Sequence, residues 1–136
     1  MSAIIDTKRA MERVLLAITP SIPTAFESVD FEPPVSTMYQ RCQFMINPPD
    51  DPVFTAGYHR ENIQMQVFVT DTKGHGTTAA NTRAELIRST FYKGRTWIEG
   101  STRIHILRTP QMQSAFAVQD RIVIPVLINL VAEVSS

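Results

Sequence analysis

Any chemistry in this chain would start at Gly74-His75-Gly76-Thr77-Thr78. These residues follow an alternating stretch and open a helical one, so their backbone N–H groups could face an anion. They lack the lysine and spacing of a GxxxxGKS or GxxxxGKT loop, and they form no GxGxxG. They read as a tight turn, with Thr77 or Thr78 capping the helix. The three histidines, His59, His75 and His105, lie far apart, and none belongs to a metal-spaced cluster such as HExxH. Asp50 and Asp51 stand between prolines, a pattern that suits a solvated loop better than a cation site. Cys42 shares a strand face with Phe44 and Ile46 and reads as a small buried hydrophobe rather than a nucleophile. Arg83, Arg88, Lys93, Arg95, Arg103 and Arg108 make the later half basic, without the interleaved aromatics of a base-stacking surface. No catalytic residue, cofactor site or metal site is assigned from these patterns.

The stretch Tyr58–Gly94 would position most of these groups. From Ile63, the residues Ile63, Met65, Val67 and Val69 point one way, and Gln64, Gln66 and Thr70 the other. That period of two predicts a half-buried strand. Phe68 interrupts the polar row, so the outer face is not bare to water everywhere. Beyond Gly76 the period changes: Ala80, Ala84, Ile87 and Phe91 make one helical stripe, and Gly94 stands where a left-handed C-cap residue belongs. The expected nucleus is this helix folded back over the inner face of its own strand.

The flanking chain supplies the other elements. Residues 4–18 predict a first helix with Ile4, Met11, Val14, Leu15 and Ile18 on one face, ended by Thr19-Pro20. Residues 24–31 and 39–46 alternate as strands. Asn47–Gly57 is a loop longer than a hairpin needs. Thr96–Ile98 and Ser101–Thr109 predict a hairpin around Glu99-Gly100, and Pro110–Gln119 a polar loop. Arg121–Ala132 is nearly all apolar, which suggests burial on both sides, while its Pro125 demands an edge position or a bulge. The order α-β-β-β-α-β-β-β predicts a single α+β domain over residues 1–136. Its sheet would be mixed or antiparallel, of about five to six strands, with both helices on one face.

Composition narrows the function classes. With 136 residues the chain can bury around two thirds of its unfolded surface. No apolar run approaches the ~20 residues that cross a membrane, and the N-terminus has no basic-then-apolar signal pattern. One cysteine excludes an internal disulfide. Thirteen basic and thirteen acidic residues cancel, so a general affinity for nucleic acid is not expected. The charge is uneven, however: residues 1–62 hold five Lys/Arg and eight Asp/Glu (−3), and residues 63–136 hold eight and five (+3). In a subunit packing head to tail, opposite patches would orient neighbours.

The order of motifs carries a resemblance. The proline-ended first helix is followed by Pro23-Thr24-Ala25-Phe26-Glu27-Ser28-Val29-Asp30-Phe31, then Pro33-Pro34-Val35 and Tyr39-Gln40-Arg41. Gly57-Tyr58-His59-Arg60-Glu61 then leads into Gln66-Val67-Phe68-Val69, and Gly76 precedes Arg83-Ala84-Glu85-Leu86-Ile87-Arg88. Phe91 with Lys93-Gly94 and Asp120-Arg121-Ile122-Val123-Ile124-Pro125-Val126 complete the series. In this order and spacing, over nearly the whole chain, the sequence resembles the tail terminator proteins of long-tailed, lambda-type phages and prophages. Phe26 stands where that family leads one to expect tryptophan.

The resemblance implies a structural virion protein, assembled in the host cytoplasm. It implies a homo-oligomeric ring, typically of six subunits, that caps the tail tube protein and meets a head–tail connector protein. DNA would be cargo passing through the lumen; no membrane and no cofactor are implied. The contact candidates are Asp50, Asp51, Val53 and Phe54 in the first long loop and Met112 and Phe116 in the second. Arg83, Arg88, Arg95, Arg103 and Arg108 are candidates for subunit contacts or lumen. Two alternatives stand beside this: another neck or tail-completion protein, and a small dimeric anion-binding or enzymatic domain using Gly74–Thr78.

Overall fold

A computed structural model describes residues 3–27, 29–34, 37–52, 57–74 and 76–135. The elements run α1 (Ala3–Leu16), β1 (Thr24–Ala25), β2 (Tyr39–Asp50), β3 (Tyr58–Thr72), α2 (Thr78–Thr90), β4 (Thr96–Glu99), β5 (Thr102–Ile106), β6 (Gln111–Met112), β7 (Phe116–Val118) and β8 (Arg121–Ser135). One mixed sheet has the order β1-β2-β3-β8-β5-β4, and β6 and β7 also pair with β8. The β1–β2 pairing is parallel and every other one antiparallel. The α+β architecture with two helices is the one expected.

The long hairpin β2–β3 and its partner β8 form the frame, because their alternation is strict. Cys42, Ile63, Met65, Val67, Val69, Ile124, Val126, Ile128 and Leu130 are all buried on one face. Against that face α2 lies over β3 and β8, and α1 over β8, β5 and β4. The α2 stripe is as predicted: Ala80, Ala84, Ile87 and Phe91 have no solvent exposure. On α1 the buried row is Ala3, Asp6, Thr7, Ala10, Met11 and Leu15. Asp6 is a buried acid on that row; its Oδ2 accepts a hydrogen bond from Thr102 Oγ1 at 3.0 Å, fastening α1 to the β4–β5 hairpin.

Six local expectations change. The loop expected over Asn47–Gly57 loses its first residues to β2, which continues to Asp50 with a register shift between Asn47 and Asp50. The strand over residues 24–31 shortens to Thr24–Ala25, because the Glu27 carboxylate, not the backbone, accepts from Phe44 N–H at 3.1 Å. Thr77 occupies the helix N-cap but makes no cap hydrogen bond; its hydroxyl accepts from Asn81 Nδ2 at 3.2 Å. Gly94 does have a left-handed φ of +88°, yet α2 has already ended at Phe91, so the glycine turns the chain into β4. Residues 110–119 are not one loop, since β6 and β7 form there along β8.

Pro125 is neither at an edge nor at a register shift, for it pairs with Phe68 inside the longest ladder. A strand residue's N and O point to the same side, and Pro125 O accepts from Gln113 N–H at 2.9 Å. Its missing N–H therefore faces the β6–β7 side, where the short strands leave a break, and no bond to β3 is lost.

Candidate functional site

The outer face of the sheet starts from the polar residues of the same alternation. Gln64 Nε2 donates to Asn129 Oδ1 at 2.9 Å and Gln66 Nε2 to Gln113 Oε1 at 3.3 Å, so amides cross-tie β3, β8 and the β6–β7 segment. Phe68, the residue that interrupts the polar row, marks where this face changes character. It floors a groove of about 600 Å³ together with Thr70 and Val123. Pro33, Tyr39 and Arg41 form one side, and Phe116, Val118 and Arg121 the other, with Asp120 at the rim.

The walls are held in place by specific contacts. The Phe31 and Tyr39 rings pack with centroids 5.5 Å apart. The Arg121 guanidinium lies 5.3 Å from the Tyr39 ring centroid and donates to the Thr37 carbonyl at 3.3 Å and to the Pro34 carbonyl. Across the groove from Tyr39, Phe116 and Val118 remain 44% and 47% exposed, an apolar wall open to water. The groove thus offers apolar surface flanked by two arginines and one aspartate, and its geometry favours binding over bond-making.

The predicted contact residues fall into three groups. Asp50, Asp51, Arg103, Arg108 and Phe116 are exposed. Asp50 stands at the end of β2, where its Oδ2 accepts from Asn62 Nδ2 at 3.0 Å. Arg88, Arg95 and Met112 are half-buried and serve the fold: Arg88 Nε donates to the Pro110 carbonyl at 2.9 Å, tying α2 to the β6 approach. Arg95 donates to the Thr90 carbonyl at 2.6 Å and stacks 4.6 Å from the Trp97 ring centroid. Arg83 is buried, 5% exposed, with Nε donating to Gln40 Oε1 at 3.3 Å and Nη1 to the Pro20 carbonyl. Val53 and Phe54 lie outside the described residues, as does His75.

The remaining polar groups resolve locally. Gly74 and Gly76 both have positive φ, +106° and +76°, so turn geometry accounts for both glycines. Among the described residues, no three of His, Cys, Asp and Glu converge as a metal site, and no helix is long and apolar enough to cross a membrane. Cys42 is 1% exposed, and burial, with Glu12 and Glu27 nearby, pushes its thiol well above the ordinary range. Native protein should therefore resist alkylation at pH 8 at a rate set by unfolding. Labelling as fast as that of an unfolded control would contradict its burial.

Sequence reasoning missed the groove residues Pro33, Tyr39, Arg41, Val118 and Arg121. Phe68 was the available signal, an aromatic in a row of glutamines.

These features define a small α+β fold with a buried core, a groove at one end of the long strands and exposed acidic residues at the other. The model of a family described as phage tail terminator protein matches residues 6–130, nearly the full length. The chain belongs to that family, and it is a structural phage tail protein. A solved structure is similar in fold, with a TM-score of 0.74 at 19% identity over 100% of this chain and 97% of its own. A search of curated proteins finds no match.

Proposed function

We propose that this chain caps the phage tail tube as a ring, ends tube polymerisation and provides the surface that meets the head. The family match over residues 6–130 carries the reading. Six copies would close around a lumen that passes DNA, in contact with the tail tube protein on one side and a head–tail connector protein on the other. The virion tail is its place, reached by assembly in the host cytoplasm.

The geometry supports a ring because a heterologous contact needs two different surfaces on each subunit. Asp50 and Asp51 stand at the end of β2 that pairs with the start of β3. Phe116 and Arg121 stand along the start of β8, which pairs with the end of β3. A subunit built this way presents unlike ends, as a heterologous contact requires. Arg103 and Arg108 add exposed positive charge on the β5 side. Arg83, Arg88 and Arg95 act within the subunit.

Shortening the segment between β2 and β3 by removing residues 51–56 tests the reading. The expected result is loss of the ring on tail tubes with a melting temperature within a few degrees of native. A large fall in melting temperature would make the segment a fold element instead.

A further inference from the structure

We infer that the outer-face groove is the socket of the subunit contact, and that its occupant is the Asp50–Gly57 segment of a neighbouring copy. The inference rests on the ring proposed above and names the surfaces that join it. The groove presents Phe68, Phe116 and Val118 between Arg41 and Arg121. The sequence of the segment carries the complement: two acids, Asp50 and Asp51, followed by Val53 and Phe54. Acids meeting the arginine rim would orient the approach, and apolar side chains would fill the space above Phe68. Asp120 at the rim would repel a segment seated too far along the groove.

The geometry excludes a subunit filling its own socket. Phe68 is ten residues along β3 from Tyr58, a distance of ~33 Å in a strand. The seven residues 51–57 leave from Asp50 and return to Tyr58, four steps out and four back, so the chain could reach ~14 Å at most. Plug and socket also lie at opposite ends of the same strands, so each copy can give to one neighbour and receive from another. Such a head-to-tail contact makes a ring when its rotation closes.

Two variants keep plug and socket apart. The plug variant carries Asp50→Asn and Asp51→Asn; the socket variant carries Arg41→Glu and Val118→Asp, all at exposed positions. Their melts and sedimentation on purified tail tubes are compared with native chain. Each alone should fail to form rings at concentrations on the order of ten times those that suffice for native chain. Mixed together, they retain one intact plug and one intact socket, and should form a one-to-one dimer that cannot grow. A second measurement, independent of folding losses, places Phe54→Cys in one copy and Val118→Cys in another. Oxidation of the tube-bound mixture should link the two copies.

Native-like rings from both variants, or no dimer and no cross-link while native chain forms rings, would overturn the socket and leave the ring standing. Native chain that stays monomeric even on tubes would bring down both.

Discussion

Phe91→Ala should lower unfolding free energy by about 3–5 kcal/mol, the range for removing a buried aromatic side chain. Phe91 has no solvent exposure and is the largest fully buried side chain among the described residues. It ends the α2 stripe, donates its backbone N–H to Ile87 O at 3.0 Å and packs with its ring centroid 6.0 Å from that of Trp97. The void would therefore open where α2 meets the β4–β5 hairpin, between elements that cannot collapse together without moving the sheet. For a chain of this length the loss corresponds to a fall of roughly 10–20 °C in melting temperature. A loss below about 1 kcal/mol would mean that α2 does not seal the core at this end.

Arg83→Ala should cost about 2–4 kcal/mol and act on stability rather than on assembly surfaces. The side chain joins α2 to β2 through Gln40 and to the connector after α1 through the Pro20 carbonyl. Gln40 is itself 1% exposed and already donates to Thr24 Oγ1 at 2.9 Å, so losing Arg83 strands a buried carbonyl oxygen that water reaches poorly. Burial holds the guanidinium below its ordinary pKa, a sign of the desolvation that these two acceptors offset. Arg83→Lys should recover only part of the loss, because an ammonium cannot reproduce the planar fork. Thermal melts of the three proteins measure this. A native melting temperature for Arg83→Ala, combined with lost rings, would move Arg83 from the interior to the subunit contact.

The contrast between these two residues shows what the sequence discloses. Phe91 was legible because helical periodicity places apolar residues at fixed intervals, and burial of that stripe is the cheapest way to satisfy it. Arg83 was read as one of a basic set because charge alone does not reveal whether a guanidinium meets water or finds carbonyls brought from distant chain. Its partners, Gln40 and Pro20, are 43 and 63 residues away. The same non-locality hid β6 and β7, two- and three-residue strands that exist only because β8 offers them an edge. Pro125 misled for a related reason: the rule against proline in a central strand presumes a partner on both sides, and here one side is broken. The groove required Tyr39, Phe68 and Phe116 to meet across four strands. Only Phe68, out of place among glutamines, pointed to it.

The proposed role turns on a ring at the end of a tail tube. Native mass by light scattering across a wide concentration range, repeated with purified tail tubes, tests it most directly. A hexamer is expected, or a monomer that joins tube ends as a ring and blocks their extension. A tight dimer indifferent to tubes would contradict it.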